Sequence, residues 1–365
     1  MQATASALDE ALDFLQAVVK PRAQEIDQDP EALREVLVEM GSRNLMALKR
    51  PAAYGGPEMD EPTFRRFQEE MARTSGTLAF CQTQHQSAVA MLSRSDNDTL
   101  KNAYLPNMAD GTKQVGIGFS QLRRPGPPIM RAEPTHDGYV LNGNVPWVTG
   151  WSFFPEFLAG ATLTDGRALF VVAPLVAQAS IIVSPPMRLA AMETAMTVSV
   201  DFDGHFVPQA QVAFVRESGW IANSDMINIA LQGHFAIGCA LGGLDVLEAA
   251  YERRREPFIS QTLQLLRNEL EACRSETAEA QKLAGEETTE DRLRVRAWAV
   301  DIAFRCAQAA IVSSSGAANS LRHPAQRIYR EALVYSVSAQ TTAIMGATLA
   351  RLTRPVPPSS WSEAR

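Results

Sequence analysis

Cysteine is scarce. Four stand in 365 residues, at Cys81, Cys239, Cys273 and Cys306. They are too scattered for a metal-ligand spacing or a dense disulfide framework, so they are expected to be reduced core thiols. There is no run of about 18 apolar residues, and the opening MQATASALDEALDFLQ has no basic region followed by an apolar stretch. No membrane span is therefore expected, and the cytoplasm is the expected location. Positive charge is in deficit: 34 Lys and Arg against 41 Asp and Glu leave a formal charge of −7. Nucleic acid is not an expected partner, because a duplex-binding surface must neutralise phosphates with clustered cations. The chain also lacks G-x-x-x-x-G-K, G-x-G-x-x-G, H-E-x-x-H, C-x-x-C and G-x-S-x-G. Gly116 to Gly118 is followed by Phe119, Ser120 and Gln121, with no helical start. His85 and His323 are not spaced as ligands, and no metal is expected.

What is present divides by texture. With 46% hydrophobic residues the chain has ample material for a core. From Leu8 to about Ala109 apolar residues recur at three and four, as in Leu33, Val36, Leu37 and Met40, which predicts amphipathic helices. A turn at Pro51 to Pro62 interrupts them. From Val115 to about Val215 the runs shorten and become strand-like; in TVSVDFDGHFV, Val198, Val200, Phe202 and Phe206 are expected on the dry face. Beyond Trp220 the helical period returns, through Leu231 to Leu247, Leu263 to Leu270, Val295 to Phe304 and Ile344 to Leu352. The charged stretch Glu286 to Arg296 reads as a solvated turn between two helices. The expected architecture is α+β multidomain: an N-terminal α-helical domain over 1–114, a middle β-domain over 115–217 and a C-terminal four-helix bundle over 218–365.

Four segments go further. LKRPAAYGGPEM (48–59) is similar to a Pro-x-x-Tyr-Gly-Gly turn before a helix, here with Glu69, Glu70 and Ala72. HDGYVLNGNVPWVTG (136–150) is similar to a strand, turn and strand carrying Trp-Ile-Thr. LAAMETAMTVSVDFDGHFVP (189–208) follows a strand ending in Val-Pro, and SLRHPAQRIYREALVYSVSAQTTAIM (320–345) a final helical hairpin. In this order and spacing they resemble the acyl-CoA dehydrogenase flavoproteins over nearly the whole chain. The resemblance implies FAD extended between a β-domain and a four-helix bundle, its adenosine end reaching a neighbouring subunit, and hence a homodimer or homotetramer.

The resemblance also assigns cofactor positions. Trp147 and Thr149 match the motif that packs on the isoalloxazine and hydrogen-bonds its reactive edge; the alternative is a core Trp and a strand Thr. Phe119 and Ser120 fall on the strand facing the pyrimidine ring. Arg255 and Phe258 match a pair closing over the adenosine diphosphate from the neighbouring subunit, where a guanidinium binds phosphate and a ring stacks on adenine; the alternative is a solvated charge run. Gly316 falls near the adenosine end, with Ser315 in place of a second glycine, and Thr341 matches a phosphate-contacting Thr.

The departures are at the catalytic carboxylate. One usual position of the base falls on Ala339 and the other on Leu231, with Gln232 in place of an Arg. Neither side chain can accept a proton. The loop after Ser120 is shortened to SQLRRPGPPIM, in which Arg123 and Arg124 read as a surface pair or a phosphate contact. Asp225 reads as a solvated first-turn residue or a relocated base. His234 reads as a satisfied core histidine or a base. Glu331 reads as paired with Arg330, and Glu193 has no assigned role. Three functions stay open: an FAD-dependent dehydrogenase acting on the CH–CH group of an acyl-CoA, a flavin monooxygenase or oxidase on the same fold, and a non-catalytic assembly protein.

Overall fold

The computed structural model describes residues 2–282 and 288–353, with no side chains described for 2–5. Local signals start and stop the first helices. α1 (Gln2–Phe14) runs through a single π-helical turn, Leu15–Val19, into α2 (Lys20–Gln28). Asp29 then accepts from the Glu31 amide and Pro30 occupies the first position of α3 (Pro30–Ser42). Asp60 caps α4 (Glu61–Thr74), Ser75 caps α5 (Gly76–Ser93) and Asn97 caps α6 (Asp98–Tyr104). The turn between α3 and α4 is held by Arg50, whose guanidinium donates to the carbonyls of Gly55 and Pro106.

Eight strands form one sheet: β1 (Val115–Gly118), β2 (Met130–Pro134), β3 (Gly138–Val148), β4 (Glu156–Leu163), β5 (Ala168–Pro174), β6 (Ile181–Val183), β7 (Val198–Pro208) and β8 (Val212–Arg216). Their order is β6-β7-β3-β2-β4-β5-β8, and β1 pairs with β4. Two strands share one edge of β4: β1 runs parallel along Glu156 to Ala159, and β2 takes over at Thr162 and Leu163. Between them the chain leaves the sheet at Phe119 and makes a 3-10 turn, Ser120–Arg123. One sheet face packs on itself through Val145, Phe157, Val200 and Phe202; the other packs Leu158, Phe170 and Phe214 against Val89, Leu92 and Tyr104 of α5 and α6.

The remaining helices are α7 (Trp220–Asn228), α8 (Gly233–Arg254), α9 (Pro257–Lys282), α10 (Thr289–Ser314), α11 (Pro324–Val337) and α12 (Thr342–Leu352). α8 is long and apolar enough to cross a bilayer but is mostly buried against α4, α9, α10 and α11 as a core helix. One continuous core joins Phe67 and Met71 of α4 to Phe235 and Leu244 of α8 and Ile302 of α10, so the N-terminal and C-terminal helices pack as one body. The four cysteines are buried and unpaired, as expected, and burial raises the thiol pKa of each; Cys306 is pushed up to about 12.

Two expectations are corrected. Of the charged stretch, Glu286 and Glu287 lie outside the described residues. From Thr289 on it is α10, not a solvated turn, and Arg292 and Arg296 are each 1% exposed. Arg292 donates to the hydroxyls of Thr288 and Thr289; Arg296 donates to the carbonyls of Tyr335 and Ser338 at the end of α11, where a cation satisfies the last helical acceptors. Phe206 is exposed and Val207 buried. Leu141 pairs with His205 but Gly143 with Phe202, so β7 carries one extra residue and its alternation slips by one beyond Asp203.

Candidate functional site

The break in the sheet holds Phe119 and Ser120, and β3 ends at Trp147 and Val148 just before Thr149; these are four of the eight expected flavin positions. Phe119 sits over Gly160 of β4, where even a methyl group would lie 2.6 Å from the Phe119 Cβ. The Gln121 amide donates to the Gly160 carbonyl at 2.6 Å, locking the 3-10 turn to the middle of β4. This turn also packs against β3, the strand that ends in Trp147 and Val148. The Ser120 hydroxyl is buried there without a hydrogen-bond partner, and such a group carries a desolvation penalty until something supplies one. Trp147 is 48% exposed, a large ring left uncovered at the end of a strand. Thr149, 5% exposed, shares a hydrogen bond of 2.9 Å with the Thr197 hydroxyl, in which either oxygen can donate. An unsatisfied hydroxyl beside an aromatic ring on the turn, and an uncovered ring at the end of the strand that the turn packs against, have the chemistry to take a flat heteroaromatic ligand such as a flavin ring.

The other assigned positions lie elsewhere. Arg255 closes α8 in the left-handed conformation, φ 57°, with its guanidinium over the Tyr251 ring, and Phe258 is 63% exposed on the first turn of α9. Gly316 is close to this end, because Arg254 donates to the Ser315 hydroxyl at 3.0 Å. Leu231, in the 3-10 turn Ala230–Gln232, stands at the opposite end of α8. The 22 residues of that helix span about 33 Å, so Arg255 and Leu231 do not converge within one chain. Thr341 caps α12, accepting from the Ile344 amide. Ala339, between α11 and α12, is exposed with φ 49°.

Every alternative base is already engaged. Asp225 is not a solvated first-turn residue: it sits within α7 and takes a bidentate ion pair from Arg123, both contacts 2.7 Å. Arg123 is accordingly not a surface residue, whereas Arg124 is exposed. His234 is buried between Glu69, 2.6 Å from Nδ1, and the Gln281 amide oxygen, 2.9 Å from Nε2, as a satisfied core histidine. Glu331 pairs with Arg327 at 2.8 Å rather than with Arg330, and accepts from the Gly76 amide. Burial raises its pKa, and Arg327 opposes that shift. Arg330 pairs with Asp27 instead. The reason is helical spacing: Arg327 is one turn from Glu331 on the same face, and adjacent residues diverge. Glu193 pairs with Arg188 at 2.7 Å. Among the described residues no cluster of His, Cys, Asp and Glu could hold a metal ion. Sequence reading flagged Arg123 and Asp225 separately and missed their pairing, since no local signal links residues 102 positions apart.

Comparisons with known proteins agree with the fold. Residues 3–112 match the family model "Acyl-CoA dehydrogenase, N-terminal domain". A mitochondrial isovaleryl-CoA dehydrogenase of Bos taurus is 32% identical over 142 residues, 37% of this chain and 33% of that protein, so the match spans about a third of that relative's length. A probable acyl-CoA dehydrogenase of Bacillus subtilis is 22% identical over 93% of this chain and 94% of its own length. The structure of an acyl-CoA dehydrogenase complexed with FAD from Bacillus anthracis superimposes with a TM-score of 0.78 at 18% identity, covering 96% of this chain and 67% of that one. The chain is thus a relative of the acyl-CoA dehydrogenases: it carries their N-terminal domain and has their fold.

Proposed function

We propose that this protein is an FAD-dependent oxidoreductase of the acyl-CoA dehydrogenase type, acting on an acyl thioester as a homo-oligomer in the cytoplasm. The unpartnered Ser120 hydroxyl, on a turn that packs against the strand carrying the uncovered Trp147 ring, is the observation that carries the cofactor reading. When bound, FAD supplies a two-electron acceptor whose N5 takes hydride from a CH–CH group. Trp147 and Phe119 would hold the ring system and keep water from it, and Ser120 would donate to its pyrimidine edge. Thr149, which can turn its hydrogen away from Thr197, would address the reactive edge. Arg255 and Phe258 of a second copy would hold the diphosphate and adenine, which suits their exposure. Four buried, unpaired thiols are in keeping with a reducing compartment.

Neither Ala339 nor Leu231 can take the proton that thioester dehydrogenation releases, and Asp225, His234 and Glu331 are tied into pairs. That observation favours a second reading, an oxygen-using flavin monooxygenase or oxidase, which needs no thioester base. The visible spectrum of the purified protein separates these readings. A yellow chromophore, or uptake of added FAD, is expected, with weaker retention in Trp147→Ala; a colourless protein that takes up none would overturn both enzymatic readings. Anaerobic bleaching by one of a panel of acyl-CoAs supports the dehydrogenase. Bleaching by none of them, with NAD(P)H-dependent oxygen transfer, supports the monooxygenase.

A further inference from the structure

The turn that carries Ser120 is fastened from outside the sheet. Arg123, at its end, forms the bidentate pair with Asp225 of α7; their side chains are 25% and 15% exposed. The same guanidinium lies over the Phe119 ring, 5.5 Å from its centroid. A second attachment runs through aromatic edges. Phe119 meets Phe170 of β5 at 5.6 Å, and Trp220, the first residue of α7, meets Phe170 at 5.3 Å, both T-shaped. α7 is therefore held at its first turn by Trp220 and beyond it by Asp225, bridging the shortened loop and the start of the C-terminal helices. None of the residues within α7 is fully buried, so these two attachments are its principal anchors.

We propose that Arg123 and Asp225 are positioning residues: a clasp that pre-sets the Phe119–Ser120 edge and α7 for the flavin, in place of a longer loop. The reading rests on the flavin site proposed above. A site ordered before binding spares the ligand the entropy of ordering it, so opening the clasp should weaken FAD binding without removing any group that touches FAD. A fork-shaped guanidinium matched to a carboxylate also predicts that Lys at 123 is a poor substitute.

The test uses the full chain. FAD titrations should show affinity falling about 10-fold in Arg123→Met and in Asp225→Asn, and nearly as far in Arg123→Lys. The exchanged pair, Arg123→Glu with Asp225→Arg, should return to within about 3-fold of wild type, since only the interaction is common to both. In flavin-free protein, amide hydrogen exchange over Ile221–Asn228 should quicken in Asp225→Asn and slow again in the exchanged pair. Wild-type affinity and exchange in the single variants, or an exchanged pair no better than they are, would overturn the clasp. If α7 exchange responds as expected but wild-type protein takes up no FAD, the clasp stands and the flavin reading falls.

Discussion

His85 shows how much one side chain can reveal at the residue scale. It is fully buried, with Nε2 2.9 Å from the Met108 carbonyl and Nδ1 3.1 Å from the Val115 amide nitrogen. The neutral ring with its hydrogen on Nε2 satisfies both, donating to Met108 and accepting from Val115. Desolvation lowers its pKa below the usual value, opposed by the hydrogen bond to the Met108 carbonyl. The sign follows: the folded state binds fewer protons than the unfolded chain, so stability is complete above the unfolded pKa of about 6.5 and declines as pH falls below it. Urea unfolding of wild type and His85→Gln should therefore show a stability gap that narrows between pH 7.5 and 5.5, because the other four histidines cancel in the difference. A constant gap would rule out a neutral His85. The residue was legible in the sequence as a histidine without metal spacing. Its role was not, because its partners, 23 and 30 positions further on, stand before β1 and at its first residue.

At the scale of elements, the crossing of α4 and α8 is set by a glycine. A methyl group at Gly238 would lie 2.2 Å from the Glu69 carbonyl oxygen and 2.8 Å from the Ala72 Cβ. Neither backbone can yield without separating the helices that join the two ends of the chain. Gly238→Ala should cost about 1–3 kcal/mol, as overpacking does, read as a lower denaturation midpoint at an unchanged m-value. Gly346 of α12 is the contrast: among the described residues nothing beyond its own helix and chain neighbours lies within 4 Å of a methyl group there, and Gly346→Ala should be neutral or stabilise by up to about 1 kcal/mol through helix propensity. Equal losses at the two positions would refute the close approach at Gly238. Hydrophobic periodicity marked α4 and α8 as helices. It could not tell that their faces touch at this point, and the β7 bulge likewise displaced Phe206 from the face that alternation assigned it.

Across the whole molecule, charge and apolar surface are unevenly placed. Asp27 of α2 with Arg330 of α11, and Arg73 of α4 with Asp245 of α8, fasten the first helices to the last. On α12, Met345, Leu349 and Leu352 are 43%, 57% and 64% exposed at a spacing that makes one stripe, and Leu333 and Val337 of α11 are also uncovered. A homo-oligomer would cover such surface, in line with the proposal that a second copy supplies Arg255 and Phe258. Light scattering after size exclusion should give a mass at least twice 39.8 kDa, and Leu349→Asp should lower it and weaken FAD retention together. A wild-type monomer that holds FAD tightly would separate cofactor binding from assembly.

The succession of helical, strand and helical textures, the scatter of the four cysteines that points to core thiols, and the absence of a carboxylate at positions 339 and 231 are legible along the chain. These are local properties: composition, period and residue identity need no knowledge of neighbours in space. Packing in three dimensions is what holds the acids and imidazole offered in place of the missing base, Asp225 by Arg123, His234 by Glu69 and Glu331 by Arg327. It alone decided that Ser120 is buried without a partner. Two of those three pairings join residues more than a hundred positions apart, and a hydrogen bond depends on distance in space, which periodicity along the chain does not encode.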